Sequence, residues 1–242
     1  MIKAVIFDLD GTLLNTINTI EYYCNTALEK YGFNAVPVDK YKHFVGNGAK
    51  LLIERAMSYT RDWTDDEFEK VFSLYNKLYD GDTLYLTAPY DGIVDMLKSL
   101  KEQGYKTAVL SNKPHFATVD VVGKVFGEDT FDLVRGGIDG VPLKPDPAAV
   151  FEIMKELGVN KDEAIFVGDT KVDIATGKNA DLFAVGVLWG FRDEAELTSA
   201  GADVIIDNAK EILNIAKKER IYELHHFVQT TQKRTPMIKY SF

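Results

Sequence analysis

The stretch IKAVIFDLDGTLLNT, residues 2–16, runs an unbroken apolar segment into two aspartates one residue apart, Asp8 and Asp10, with Gly11 and Thr12 directly behind them. A short β-branched run closed by turn-forming residues has the pattern of a strand buried on both faces, as the strands of parallel sheets are. Carboxylates resist crowding there, because burial and mutual repulsion both disfavour their charged forms. The pair needs a chemical reason, and the rest of the chain supplies its context.

A hydrophobic segment gives way to polar residues again at LSNK (110–113), PLKPDP (142–147) and FVGDTKVDI (166–174). Strands are expected at 4–7, 106–110, 133–136, 164–167, 183–187 and 203–206, separated by longer helical patterns. That alternation indicates a parallel sheet built from βαβ units. The pattern breaks between the first two strands, where only helical stretches occur, at 17–31, 48–59 and 65–79. Thr64 or Asp65 suits the N-cap of the third, with Glu67 in its first turn. The core resumes at PYDGIVDMLKSLKEQGYKTAVLSNK (89–113), where Ile93, Met96, Leu97 and Leu100 mark one helix face and Gly104 suits the C-cap. The expected organisation is a sheet-bearing core at 1–15 and 83–217, a helical insertion at 16–82 and a C-terminal extension at 218–242. A helix can continue through 211–227, whereas 229–242 lacks acids and carries Lys233, Arg234 and Lys239, as a frayed or partner-docked end would.

At 242 residues the chain is long enough for one or two domains with a substantial core. Its formal net charge of −9 argues against a general nucleic-acid binder, while a locally positive pocket can still take a small anion. No apolar segment reaches the length of a membrane span, and the N-terminus does not read as a signal peptide. A single cysteine, Cys24, forbids an intramolecular disulfide and fits a reducing cytoplasm. It falls within a helical pattern, as a small core hydrophobe would. The adjacent His225 and His226 fall in an expected surface helix and are not read as a metal site.

If the strands are parallel neighbours, their polar tips meet in one crevice, outside the carboxyl ends of the sheet where open α/β folds bind ligands. Asp8, Asp169 and Asp173 then crowd together and need a hard divalent cation; Mg²⁺ takes oxygen ligands and commonly shares them with a substrate phosphate. Ser111 offers a hydroxyl, Asn112 a backbone N–H and Lys144 a cation, the donors a phosphoryl group requires as its charge redistributes. Asp8 is the candidate nucleophile, forming a covalent phosphoryl intermediate. Asp10 is the candidate acid and base, protonating the leaving oxygen and then deprotonating the attacking water.

In order and spacing, DLDGT, LSNK, KPDP and GDTKVD resemble the four motifs of the haloacid dehalogenase superfamily of phosphohydrolases, over about residues 1–215. The resemblance implies an α/β fold with a Rossmann-like, doubly wound parallel sheet core and an inserted α-helical cap, Mg²⁺ dependence and an aspartyl-phosphate intermediate. It places the metal on Asp8, the backbone carbonyl of Asp10 and Asp169, with Asp173 supporting, and the phosphate on Thr12, Ser111 and Lys144. A carboxylate at Asp10 fits phosphatases and phosphomutases; the dehalogenases lack an acid there and the ion-pumping ATPases carry threonine. HFVGNGAKLLIERA, PYDGIVDML and GVLWGFRDEAELTSAGADVIIDNAKEI are most similar to phosphoglycolate phosphatases and related pyrophosphatases. One departure is Ala180-Asp181 where the family usually has Ala-Gly; Asp tolerates a left-handed turn better than most residues, so a local adjustment is expected.

In the insertion, VGNGAK offers Gly46, Asn47 and Gly48 as backbone donors at a helix start, with Lys50 or His43 adding charge, for a second anionic group; the alternative is a tight turn before a helix. It is no dinucleotide fingerprint, since no strand precedes it and the third glycine is missing. The expected function is a cytoplasmic, Mg²⁺-dependent phosphatase of a small phosphorylated metabolite, foremost 2-phosphoglycolate, active as a monomer or homodimer, without nucleic-acid or membrane partners. Pyrophosphate and nucleotide or sugar phosphates are the alternative substrates, and a catalytically silent binding protein the alternative class. Linkers near 14–17 and 80–85 are expected to act as hinges for cap closure.

Overall fold

The structure, a computed structural model, describes residues 1–218. The expectations for the tail and for His225 and His226 lie outside the described residues. In chain order the elements are β1 (Ala4–Phe7), β2 (Leu14–Asn15), α1 (Ile17–Lys30), α2 (Val38–Phe44), α3 (Ala49–Thr60), α4 (Asp65–Gly81), β3 (Ala88–Pro89), α5 (Ile93–Glu102) and β4 (Lys106–Pro114). There follow α6 (His115–Phe126), β5 (Leu133–Gly137), α7 (Ala148–Leu157), β6 (Ala164–Gly168), α8 (Lys171–Asn179), β7 (Phe183–Val187), α9 (Glu194–Ser199), β8 (Val204–Ile206) and α10 (Lys210–Ala216).

Six strands form a parallel sheet in the order β5-β4-β1-β6-β7-β8. β1 is central and fully buried. Its Val5 and Phe7 join the apolar cluster that contains α5, α6 and α10 residues, while Ala4 and Ile6 join the one built with α7. That period-two division explains the continuous apolar run: both faces are covered, so every position must be hydrophobic. Because β4 and β6 flank β1 on opposite sides, the chain reverses direction across the sheet there. The tip of β1 is the topological switch point.

The helices between β2 and β3 have an apolar cluster of their own, which also takes in Ala117 and Phe191 from the core sequence. The N-cap of α4 is Thr64, closed by a capping box with Glu67. Three features depart from the sequence reading. The helix α2 lies between the expected helical stretches 17–31 and 48–59, where no element is expected, anchored by the fully buried Tyr41, whose hydroxyl donates to Asn25 Oδ1 at 2.7 Å. The first expected linker pairs with the chain beyond the second, Leu14 with Pro89 and Asn15 with Ala88, in a two-stranded antiparallel ribbon. The second linker is also displaced: α4 continues through Gly81 because Tyr79 is still packed in the helical cluster, so Asp80 and Gly81 are helix and the connection runs from Asp82 to β3. Asp181 has φ 56°, the left-handed turn expected for it.

Candidate active site

The tip of β1 folds into a tight loop. The amides of Thr12, Leu13 and Leu14 all turn back to the carbonyl of Leu9, and Gly11 sits at φ 92° against the next strand's tip. A Cβ on Gly11 would lie 2.3 Å from Asp169 Oδ2, so the residue is small for contact as well as for conformation. This packing delivers Asp8 beside the acids that follow β6.

Asp8, Asp169 and Asp173 form one buried cluster, with ligand oxygens within 4.8 Å of one another. Lys144, from the loop after β5, stands between two of them: its Nζ lies 2.6 Å from Asp8 Oδ1 and 2.7 Å from Asp173 Oδ1. Asp173 is locked from behind, its Oδ2 accepting from the Thr170 amide at 3.0 Å and the Thr170 hydroxyl at 2.7 Å in a capping box that starts α8. Asp169 accepts from the Thr12 hydroxyl at 3.2 Å and the Phe191 amide at 2.8 Å.

The electrostatics follow from burial. Burial first and the charge of Asp173 second push the Asp8 carboxyl up to about 7, against the lowering effect of Lys144. Asp169 is pushed well above the carboxylate range by burial and then by Asp173 and Asp8, while the Phe191 amide and Arg192 oppose the shift. For Lys144, burial works against the ammonium, but Asp173 and Asp8 outweigh it and hold its pKa above the ordinary lysine value. One ammonium bonded to two of three buried carboxylates leaves negative charge uncompensated, and the donors are all oxygens. This set fits a hard divalent cation.

Asp10 lies further out. Its carboxylate accepts from the Thr16 hydroxyl at 2.7 Å and from Lys113 Nζ at 3.1 and 3.2 Å. Lys113 Nζ also donates to the hydroxyl of Tyr79, on α4, at 2.7 Å. Asn112 brackets two loops: its Nδ2 donates to the carbonyls of Gly46 and Lys144, each at 2.9 Å, and its Oδ1 accepts from the Lys144 amide at 2.8 Å. Above these groups is a cavity of about 60 Å³, floored by Asp8, Asp10, Ser111, Asn112, Lys113 and Lys144. The helical block roofs it with Val45, Gly46, Gly48, Leu52, Tyr75 and Tyr79, among others.

The structure therefore brings Asp8, Asp10, Asp169, Asp173, Ser111, Asn112 and Lys144 to one sheet edge, with Gly46 and Gly48 facing them. Four of the expected residues lie outside the cavity lining. Thr12 does not reach the cavity: it is fully buried and its hydroxyl is committed to Asp169. Lys50 is exposed, with its ammonium 5.8 Å from the centre of the Phe68 ring, and it does not line the cavity. Asn47, expected as a backbone donor, uses its side-chain Oδ1 to accept from Arg55 Nη2 at 3.0 Å, and His43 is exposed outside the lining.

The sequence reading gave no role to Lys113, Tyr79, Phe191 or Arg192. Lys113 was detectable, because alternation along an extended strand sends Ser111 and Lys113 to the same side. The others reach the site through tertiary packing and carry no local signal.

Residues 5–187 match the family described as haloacid dehalogenase-like hydrolase. The chain belongs to the haloacid dehalogenase-like hydrolase family. Within it, a Haemophilus influenzae protein named phosphoglycolate phosphatase is 31% identical over 219 residues, covering 88% of this chain and 97% of its own length. Phosphoglycolate phosphatase 1 of Pseudomonas aeruginosa is 30% identical over 217 residues, covering 88% and 79%. The crystal structure of a predicted phosphoglycolate phosphatase from Haemophilus somnus superposes with a TM-score of 0.84 at 27% identity, covering 89% of this chain and 98% of that one. As in any member of a hydrolase family, the chemistry has to be read from the site itself.

Proposed function

We propose that this hydrolase is a cytoplasmic, Mg²⁺-dependent phosphatase that cleaves the phosphoric monoester of a small metabolite, foremost 2-phosphoglycolate, through a phosphoryl group carried on Asp8. The observation that carries this reading is the buried Asp8–Asp169–Asp173 cluster with Lys144 wedged into it, at the switch point of the sheet, beneath the cavity that the helical block roofs. Asp8 and Asp169, with the backbone carbonyl of Asp10, would hold Mg²⁺, which supplies charge neutralisation for the phosphoryl oxygens.

The chain's own groups then divide the work. Asp8 attacks phosphorus, and the ester bond to the leaving oxygen breaks. Asp10, in its neutral form, gives that oxygen a proton; as a carboxylate it then takes one from the water that cleaves the Asp8–phosphorus bond. Lys144 and the Ser111 hydroxyl face the transferring oxygens, where developing charge is stabilised by donors fixed in advance. Asp173 orients Lys144 through the 2.7 Å ion pair. Asn112 fixes the loop that carries Lys144 and ties it to Gly46.

The helical block acts as a cap. Its roof places Val45, Leu52, Tyr75 and Tyr79 over the acids, and the ester proposed for this site is the small 2-phosphoglycolate. The names of the curated relatives support the same substrate. Pyrophosphate is equally small, so the test is the rate of phosphate release across phosphoglycolate, pyrophosphate, nucleoside monophosphates and sugar phosphates with Mg²⁺. The proposal expects phosphoglycolate to lead in kcat/KM by about a hundredfold, roughly 2.7 kcal/mol of transition-state discrimination. A lead for pyrophosphate, or equal rates throughout, would overturn the substrate assignment.

A further inference from the structure

Beyond the end of β7, the segment Trp189-Gly190-Phe191-Arg192 touches the acid cluster at one end and the helical block at the other. Trp189 Nε1 donates to the carbonyl of Thr12 at 2.9 Å. Gly190 lies so close to Asp169 that a Cβ would meet the Asp169 Cβ at 2.3 Å and the Gly11 carbonyl oxygen at 2.4 Å. The Phe191 amide donates to Asp169 Oδ2 at 2.8 Å, while its ring is buried in the apolar cluster of the helical block. The Arg192 side chain is only 8% exposed; its Nη2 donates to the Val45 carbonyl at 3.2 Å and its Nε lies 3.2 Å from Glu196 Oε1. Its other terminal nitrogen, Nη1, is buried without an acceptor among the described residues, an arrangement that stability alone does not select.

Val45 directly precedes Gly46 and Gly48, the part of the helical block that faces the acids. This loop is held to the core at two adjacent carbonyls, Gly46 by Asn112 and Val45 by Arg192. The Asn112 bracket belongs to the loop bearing Lys144, whereas the Arg192 bracket belongs to the segment bonded to Asp169.

We propose that Phe191 and Arg192 are positioning residues that couple closure of the helical cap to the placement of the Asp169 carboxylate. Closing the cap seats the Phe191 ring and gives Arg192 its Val45 acceptor, and both fix the backbone whose amide holds Asp169 Oδ2. Coupling of this kind is reciprocal: whatever binds at Asp169 must also favour the closed cap. The inference rests on the reading of residues 16–82 as a cap, but it does not depend on which ester is cleaved.

The test is hydrogen exchange of the backbone amides in residues 45–52, on the whole chain, with and without Mg²⁺ plus inorganic phosphate. Wild type is expected to gain about tenfold protection there, within the usual range of coupling between two sites. Arg192→Gln should gain less than about twofold, and Arg192→Lys, which keeps the charge but not the fork that serves Glu196 and Val45 together, should fall between. Core amides of β1 and β6 report in the same experiment whether each variant is folded; Phe191→Leu, which preserves apolar bulk, is the second probe if Arg192→Gln is not. No gain in wild type, or a full gain in Arg192→Gln, would overturn the coupling. If protection rises as expected yet no phosphate ester is hydrolysed, the coupling stands and the phosphatase reading fails.

Discussion

Replacing Lys144 by methionine removes the ammonium that separates Asp8 from Asp173 while keeping its length and most of its packing. Its side chain is 3% exposed, and its partners are 9% and 2% exposed. Two largely buried carboxylates would then face each other with no cation between them. Breaking a buried pair by deleting one partner typically costs about 3–5 kcal/mol, because the remaining charge is left uncompensated. The loss should depend on pH. Burial and the charge of Asp173 already push the Asp8 carboxyl up to about 7, and the variant removes the neighbour that lowers it, so its folded pKa rises further above the unfolded value of 3.8. A group whose folded pKa is raised contributes stability fully only below its unfolded pKa and loses it as pH rises through the folded one. The deficit against wild type should thus be largest near pH 8.5 and narrow by about pH 5.5, where Asp8 is protonated. Urea unfolding of both proteins, metal-free, at the two pH values measures this directly. Phosphate release should also fall by at least about 10²-fold at neutral pH, since a protonated Asp8 cannot attack and a fixed donor to the phosphoryl oxygens is lost. A deficit below about 1 kcal/mol that does not change with pH would refute the reasoning, because it would mean that the ammonium is not compensating buried charge.

Gly11→Ala should destabilise the chain by about 2–4 kcal/mol, from a left-handed conformation at φ 92° and a Cβ 2.3 Å from Asp169 Oδ2, and should lower kcat; thermal melts and rates check both. Cys24 is fully buried and its thiol is pushed up to about 12, first by burial, so iodoacetamide should leave it unmodified in the native protein and label it only in denaturant, as intact-mass measurement would show. Glu67 is held down to about 2 by the Arg61 guanidinium and then by the Thr64 amide. Its support for the start of α4 is therefore present above 4.5 and lost as pH falls towards 2, a transition that Trp63 fluorescence should follow and Glu67→Gln should abolish.

The sheet was legible because its signals are local. Residues 4–7 must be apolar on both faces, and 183–187 likewise, so hydrophobic runs marked these strands to the residue. β4 ran longer than expected because Ser111, Asn112 and Lys113 look like loop residues, yet they continue as a strand whose register with β5 shifts after Leu110. The acid cluster was legible through convergence: each strand tip is weak evidence alone, but parallel order brings all of them to one edge. The helical block was harder. Nothing in VGNGAK says that Asn47 turns to Arg55 and Lys50 to Phe68, because side-chain direction in a short loop is settled by neighbours distant in sequence. The contact of the Thr12 hydroxyl with Asp169, 157 positions away, is illegible for a related reason. Asp181 shows the opposite case, where knowing which residues tolerate φ > 0 was enough.

The central claim is that Asp8 carries the phosphoryl group. Mixing wild type with Mg²⁺ and 2-phosphoglycolate, quenching in acid within milliseconds and sequencing the N-terminal peptide by mass spectrometry would locate it. The expected result is a phosphorylated peptide with the modification on Asp8, decaying as phosphate is released, and neither the adduct nor turnover in Asp8→Asn. Full turnover in Asp8→Asn, or rapid turnover with no adduct on Asp8, would contradict it.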